Sequence, residues 1–347
     1  MTIILDAMGS DSYPDPEIQA ALDSVELFGE EIILVGNESI LRPKLDAANK
    51  KGLAVTIEHA PDVLAMGEHA VEDTKKKPDN SMAVGMRLVK SGRGQAFVTA
   101  GNTGSAMFNA LRTLGRIKGV QRPALAGFFP TRKGYCAVLD IGANADCRPE
   151  YLAQFAIMGS LYTQKILGIS SPRVGLLSNG EEAGKGNQLV QEAHKLLALS
   201  GLNFIGNVEA KELFGGDVDV VVTDGFTGNV LLKSSEAVAR LMTDTLKSEL
   251  SASLVTKIGA ALAMPAFKKL RKMMEPDEVG AAPLLGIDSL VFVGHGRSNA
   301  RALTSAIRVA RQAVQANLIN DLRQNIQERL TQLETAQAAS NISAPNS

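Results

Sequence analysis

Short runs of apolar, largely β-branched residues recur along the chain, each closed by a Gly, Asn or Asp cluster and followed by an amphipathic stretch. Thr2 to Leu5 leads into Asp6-Ala-Met-Gly-Ser-Asp11, with a helix predicted from about Pro16. Glu31 to Val35 ends at Gly36-Asn37, and Ala96 to Thr99 precedes Ala100-Gly-Asn-Thr-Gly104 and a helix over Ser105 to Leu114. Tyr135 to Leu139 runs into Asp140-Ile-Gly-Ala-Asn-Ala-Asp146 and a helix from about Pro149 to Leu167. Arg173 to Leu177 precedes Ser178-Asn-Gly180 and Gly184-Lys-Gly-Asn187; Val218 to Val222 precedes Thr223-Asp-Gly-Phe-Thr-Gly-Asn229; Leu290 to Val293 precedes Gly294-His-Gly-Arg-Ser-Asn299. Strands alternating with helices predict βαβ units, a mostly parallel sheet and an α/β/α fold. Ligands of such sheets bind beyond the carboxyl ends of the strands, so these glycine-bearing loops are expected to converge on one edge.

The stretch from Ser235 to Glu275 breaks this rhythm. It lacks strand runs and predicts a helical excursion, about residues 236–275, interrupted near Met264-Pro265. Leu250, Leu254, Ile258 and Leu262 recur every fourth residue with Val255 beside them, a single apolar stripe followed by Lys268-Lys-Leu-Arg-Lys272. Such a face suits a dimer interface, a membrane surface or a docking partner. A last helix is predicted from Asn299 to about Leu333, and the Ala/Ser/Asn-rich end, 336–347, reads as a disordered tail. Residues 1–335 form one large domain in this reading, with neither an internal repeat nor a clean linker evident.

Composition narrows the function. The 347 residues are 45% hydrophobic and 21% charged, which supports a sizeable core. Lys+Arg total 36 against 37 Asp+Glu, so the basic excess of a general nucleic-acid binder is missing, and Trp is absent as a base-stacking platform. The two cysteines, Cys136 and Cys147, lack metal-type spacing and fit a reducing cytoplasm. The opening MTIILDAMGSD lacks the basic region and long apolar stretch of a signal peptide, and no window is long enough to span a bilayer.

Successive backbone N–H groups at a glycine-rich turn before a helix form an anion site. Ala100-Gly-Asn-Thr-Gly104 has this form, with Asn102 and Thr103 as added donors, and the loops at Gly225 and Gly294 follow the same logic. Gly180-Glu-Glu-Ala-Gly184-Lys185 resembles a Walker A loop but has three residues between the glycines instead of four, and Gly186 where Ser or Thr would hold Mg²⁺. No Gly-x-Gly-x-x-Gly follows the first strand, so the dinucleotide fingerprint is missing too. His59, His69, His194 and His295 are dispersed, which argues against a metal centre; only His295, between two glycines at a strand end, is a site candidate. Lys185 offers a cation in a polar loop, Cys147 has no activating base adjacent in sequence, and Cys136 reads as core.

These loops together resemble the bacterial phosphate acyltransferase family. The matching strings run in order from the first strand to about residue 310: Asp6-Ala-Met-Gly9, Ala100-Gly-Asn-Thr-Gly104, Arg122-Pro-Ala-Leu125, Gly142-Ala-Asn-Ala-Asp-Cys147, Gln154-Phe-Ala-Ile-Met-Gly159 and Arg173-Val-Gly-Leu-Leu177. Asn203-Phe-Ile-Gly-Asn-Val-Glu209, Val221-Val-Thr-Asp-Gly-Phe-Thr-Gly-Asn229, Ala282-Pro-Leu284 and His295-Gly-Arg-Ser-Asn299 complete them. The resemblance implies transfer of an acyl group from acyl-acyl-carrier-protein to inorganic phosphate for phospholipid synthesis. It also implies a Rossmann-like fold related to phosphotransacetylases and decarboxylating dehydrogenases, a homodimer, no cofactor or metal, and a cytoplasmic enzyme peripherally bound to membrane through 248–274, with docking to the downstream glycerol-3-phosphate acyltransferase. Two departures stand out: Ser10 and Ser12 where the family's first loop has Gly and His, and Glu278-Val-Gly-Ala281 where it commonly has Tyr-Gly-Gly.

On that basis Gly101, Asn102, Thr103 and Gly104 are expected to cradle phosphate. Lys185 and Asn229, with Asn179 nearby, would orient it or polarise the thioester carbonyl. Asp6, Asn144, Asp146, Asp224 and Thr227 would position these groups, and His295, Ser298 and Asn299 would close the site. Alternatives are a phosphotransacetylase-like enzyme using acyl-coenzyme A, a nicotinamide-dependent decarboxylating dehydrogenase, and a catalytically weak family member that docks on membranes.

Overall fold

A computed structural model describes residues 1–64, 70–274 and 280–343. The first part contains β1 (Thr2–Asp6), α1 (Asp15–Phe28), β2 (Glu31–Gly36), α2 (Glu38–Ala48), β3 (Val55–His59), α3 (Ala70–Lys76), α4 (Ser81–Lys90), β4 (Ala96–Thr99) and α5 (Thr103–Thr113), which adds β3 to the predicted strands β1, β2 and β4. A hairpin of β5 (Ala124–Thr131) and β6 (Gly134–Leu139) follows, then α6 (Pro149–Ile166), β7 (Val174–Leu177), α7 (Gln188–Ala198), β8 (Phe204–Val208), α8 (Ala210–Gly215) and β9 (Val220–Val222). The chain ends with α9 (Gly225–Ser251), α10 (Leu254–Met274), β10 (Ala282–Leu285), β11 (Leu290–Val293), α11 (Ala300–Gln315) and α12 (Leu318–Ser343).

All eleven strands join one mixed, mostly parallel sheet in the order β3-β2-β1-β4-β11-β10-β5-β6-β9-β7-β8. β10 is antiparallel to both β11 and β5, and β5 is antiparallel to β6. The block β3-β2-β1-β4-β11 is therefore parallel within itself and runs opposite in sense to the block β6-β9-β7-β8. This corrects the expectation of a single converging edge. Loops after β1, β4 and β11 open on one edge of the sheet, and loops after β6, β9 and β7 open on the other.

Side chains alternate across the strands and feed two cores. Ile3 and Leu5 of β1 pack with Ile18 of α1, Leu303 of α11 and Phe155 of α6 on one face. Ile4 of the same strand packs with Met86 of α4 and Ala106 of α5 on the other. In the first block the middle strand β4 sends its helix to the second face, while its neighbours β1 and β11 send theirs to the first. The second block does the same: α6 and α7 lie in the first core, whereas Leu231 and Leu232 of α9 pack on the second.

The two blocks also match in sequence, which the linear reading missed. Val98-Thr99-Ala-Gly101-Asn-Thr103-Gly104 at the end of β4 corresponds to Val222-Thr223-Asp-Gly225-Phe-Thr227-Gly228 at the end of β9. Leu5-Asp6 of the neighbouring β1 corresponds to Leu139-Asp140 at the end of β6. The neighbouring strand pairs β1–β4 and β6–β9 thus carry the same short motif, one pair in each block, with the antiparallel strands β10 and β5 between the blocks.

Three element boundaries differ from the sequence reading. The last predicted helix is two, because Asn317 takes φ 54° between α11 and α12. The excursion breaks at Ala252-Ser253 rather than at Pro265, which lies inside α10. Ser253 Oγ accepts the Thr256 N–H, and Thr256 Oγ1 accepts the Ser253 N–H, each at 3.1 Å: a reciprocal cap that starts a new helix. Leu250 is thus on α9, half-buried, and only Leu254, Val255, Ile258 and Leu262 share the stripe on α10. Of the tail expected over 336–347, the part to Ser343 continues α12.

Candidate active site

At the first edge, Asp6 ends β1 fully buried, and its carboxylate organises three neighbours. It accepts the Thr99 hydroxyl at 2.6 Å and the Met8 N–H at 3.0 Å, while Thr99 Oγ1 accepts the Gly101 N–H at 2.9 Å. Burial pushes the Asp6 carboxyl up, opposed by its Thr99, Ser81 and Met8 donors. Gly9 closes on this cluster so tightly that a Cβ there would sit 2.8 Å from both Gly101 N and Asp6 Oδ2.

Asn102 is the N-cap of α5, its side chain accepting the Ser105 N–H at 3.1 Å. With the Gly101 N–H held by Thr99, the open donors of this loop are the first-turn amides of Thr103 and Gly104, which have no intrahelical acceptor. The loop after β11 lies alongside. Its Gly296 carbonyl accepts the Asp11 N–H at 2.7 Å, the Ser298 N–H bonds the His295 carbonyl at 2.9 Å, and Asn299 caps α11 through the Ala302 N–H at 2.9 Å. The imidazole of His295 is exposed, and its Nε2 lies 3.6 Å from Glu236 on α9.

At the second edge Asp140 is likewise buried and accepts from Leu125, Gly142, Ala143 and Asn144 amides and from the Asn144 side chain. Burial raises its carboxyl; the amides and Asn144 side chain pull it down. Asn144 is buried and also bonds the Pro123 carbonyl at 2.8 Å, so it braces the loop rather than facing a ligand. Asp224 caps α9, accepting the Thr227 N–H at 2.8 Å and its hydroxyl at 2.7 Å. The two copies of the motif have diverged here: where Ala100 leaves the first loop neutral, Asp224 places a carboxylate at the second. A negative charge at that helix start disfavours an anion.

Asn229 is exposed one turn into α9, its side chain next to Gly142. Asn179 accepts the Gly186 N–H at 2.9 Å and shapes the turn carrying Lys185, whose exposed ammonium has no ion-pair partner among the described residues. Asp146 is exposed on the loop after Asp140. The predicted residues therefore fall into two groups: Asp6, Gly101 to Gly104, His295, Ser298 and Asn299 at one edge, and Asn144, Asp146, Asn179, Lys185, Asp224, Thr227 and Asn229 at the other. Helix α9 joins them, starting at Gly225 in the second group and passing His295 at Glu236. Along α9, the seven steps from Asn229 to Glu236 amount to about 10 Å of helix rise.

Other candidates resolve as structural. His194 bonds Asn207 at 3.0 Å and meets Phe204 edge to face, and His59 Nδ1 accepts the Glu38 N–H at 3.2 Å. His69 lies outside the described residues, as do Glu278 and Val279 of the second departure from the family; Gly280 of that segment packs on α11, where a Cβ would sit 2.4 Å from Ala306 N. Burial pushes the Cys147 thiol up to about 12 and the Cys136 thiol up as well, which leaves both poor nucleophiles. The sequence reading missed Glu17, buried in the first turn of α1 against Ser10, and Thr99, which ties Asp6 to Gly101.

Comparisons with known proteins bear on this geometry. A family model described as "Fatty acid synthesis protein" matches residues 1–321. The chain is 47% identical over 327 residues to a protein of Pelotomaculum thermopropionicum named phosphate acyltransferase, covering 94% of this chain and 95% of that one. In structure it is similar to a phosphotransacetylase from Streptococcus pyogenes, with TM-score 0.60 and 19% identity over 91% of this chain and 94% of that one. It is also similar to a 4-hydroxythreonine-4-phosphate dehydrogenase from Klebsiella pneumoniae, with TM-score 0.51 and 14% identity over 90% and 98%. These two likenesses support the α/β fold with helices on both sides of the sheet.

Proposed function

From the fact that this chain belongs to the phosphate acyltransferase family, an acyltransferase family, we propose that it transfers an acyl group from acyl-acyl-carrier-protein to inorganic phosphate, feeding phospholipid synthesis. A phosphate oxygen attacks the thioester carbonyl carbon, the C–S bond breaks, and the leaving sulfur takes the proton of hydrogen phosphate. Phosphate is itself the nucleophile, so the protein's task is positioning and charge stabilisation. No metal or cofactor is needed.

The observation that carries the assignment of phosphate is the difference between the two loops that share the motif. Thr103 and Gly104 present open amides at a helix start capped by neutral Asn102, whereas the matching helix start holds Asp224. Phosphate binds at Gly101 to Gly104 in this reading, with Asp6 holding the loop and His295, Ser298 and Asn299 beside it. Lys185, Asn179 and Asn229 take the acyl-donor side, reached along α9, with Asn144, Asp146, Asp224 and Thr227 shaping that loop cluster. Lys185→Ala and Asn229→Ala should then raise the KM for acyl donor or lower turnover while the phosphate KM holds.

The decisive assay supplies phosphate with a long-chain acyl-acyl-carrier-protein or the matching acyl-coenzyme A and measures acyl phosphate. Turnover with the carrier-protein substrate is expected. Turnover confined to coenzyme A favours the phosphotransacetylase-like alternative, and none with either overturns the proposal.

The same reading makes the protein a cytoplasmic homodimer that touches the membrane and docks to the downstream glycerol-3-phosphate acyltransferase. Its support is α10, where Leu254, Val255, Ile258 and Leu262 are 78%, 81%, 63% and 79% exposed next to Lys257. No helix among the described residues is long and apolar enough to cross a bilayer. Sedimentation with anionic liposomes should be lost in Leu254→Glu/Ile258→Glu while dimer size by light scattering persists; retained sedimentation removes the stripe as the membrane contact.

A further inference from the structure

Two buried polar atoms next to the first loop, close to each other, have no hydrogen-bond partner of good geometry among the described residues: Ser10 Oγ, in a residue 2% exposed, and Glu17 Oε2, in a residue 0% exposed. An acid in the first turn of a helix ordinarily meets solvent and the helix dipole. Glu17 instead turns one oxygen to the preceding loop, where Oε1 accepts the Ser10 N–H at 3.1 Å. Ser10 itself is held between the two loops that flank the start of α5. On one side Gly9 lies against Gly101, with room for no Cβ; on the other the Asp11 N–H bonds the Gly296 carbonyl at 2.7 Å. Unpaired buried polar groups are uncommon in folded proteins and call for an explanation.

Resting on the phosphate assignment above, we infer that Ser10 and Glu17 form a third wall of the phosphate site, the Ser10 hydroxyl donating to a phosphate oxygen and Glu17 positioning it through the Ser10 amide. The bound anion then has donors from two elements: the first-turn amides of α5 and the serine of the loop after β1. A hydroxyl and an amide donate to phosphate in complementary directions, and neither brings a negative charge. Glu17 is a positioning residue, acting through the loop rather than on the reacting atoms. Burial lifts its carboxyl to about 7, against the pull of the adjacent Ser10, so it is protonated for part of the time at neutral pH and brings less negative charge towards the anion than an exposed glutamate would. In this chain the serine that replaces the family's usual glycine in the loop is a gain of a donor, not a loss of a site.

The test is steady-state acyl phosphate formation by the full chain with a long-chain acyl-acyl-carrier-protein, titrating inorganic phosphate. Ser10→Ala is expected to raise the phosphate KM about tenfold, the scale of one hydrogen bond to a charged group, with the KM for acyl donor within about twofold. Glu17→Leu should raise the phosphate KM similarly, and Glu17→Gln, which retains an acceptor for the Ser10 amide, should restore it. An unchanged phosphate KM in Ser10→Ala overturns the inference even if Glu17→Leu fails to fold, and so does equal loss in Glu17→Gln and Glu17→Leu. A wild-type protein that forms no acyl phosphate would instead sink the functional reading beneath it.

Discussion

Thr99 is completely buried and its hydroxyl serves two groups at once, donating to Asp6 Oδ2 at 2.6 Å and accepting from the Gly101 N–H at 2.9 Å. Thr99→Val keeps the branched shape and removes both bonds. Leaving a buried partner unsatisfied costs about 1–3 kcal/mol. Here there are two partners, the Gly101 amide and an Asp6 oxygen. Asp6 retains the Met8 N–H and, because burial already favours its neutral form, can relax by taking up a proton. The loss should therefore fall in the lower half of the summed range, about 2–4 kcal/mol. With a urea slope of roughly 2–3 kcal/mol per molar, the unfolding midpoint should drop by about 1 M. The matching control is Thr223→Val in the loop after β9, where the hydroxyl makes no hydrogen bond among the described residues; its midpoint should hold. Equal midpoints for Thr99→Val and wild type would refute the claim that this hydroxyl ties β1 to the loop after β4.

Gly228→Ala should be severely destabilising, since its Cβ would lie 1.9 Å from the Asp140 carbonyl oxygen, while Gly184→Ala, with nothing within 4 Å, should leave the melting temperature unchanged. Asn102→Asp keeps an equally good N-cap, so stability should hold within about 0.5 kcal/mol, but the added carboxylate should raise the phosphate KM more than tenfold; an unchanged KM would move phosphate elsewhere. Glu17 is raised from 4.5 to about 7, so folding takes up a proton there. Its contribution is fully present below pH 4.5 and is lost as pH rises through 7, at about 1.4 kcal/mol per pH unit between the two values. In urea titrations across that window, Glu17→Gln should remove this part of the slope and be more stable than wild type at pH 8; an unaltered slope would refute the assignment.

The apolar runs Ile3 to Leu5, Ile32 to Val35 and Val220 to Val222 announced their strands because nothing inside them breaks a strand pattern. Three of the four missed strands carry such residues: Gly127 and Pro130 in β5, Gly206 and Asn207 in β8, and Pro283 in β10; the fourth, β3, carries none. Missing β10 and β5 had a large effect, because these two reverse the sense of half the sheet. Without them, every glycine loop falls on one edge and the site reads as a single ring. The first-edge loop residues were legible as an anion site from glycine spacing alone. Glu17 was not, because only packing distinguishes a buried helix-start acid from the common exposed kind. The motif shared by the loops after β4 and β9 escaped notice because its few identical positions are short and far apart, and only the matching strand neighbours β1 and β6 draw attention to them.

The pairing of β11 with β4 has a consequence for the chain as it leaves the ribosome. Residues 124–222 supply β5 to β9 without interruption, so the strands of the second block can pair as soon as they are made, although α6 still waits for α12. The first block cannot, because its edge at β4 waits for Leu290 to Val293, and α1 waits for α11. For most of synthesis the N-terminal third of the protein has an open strand edge and half a core, the state in which nascent sheets mispair. A truncation after about residue 285 should therefore be bound by chaperones or insoluble, however well its second block is folded.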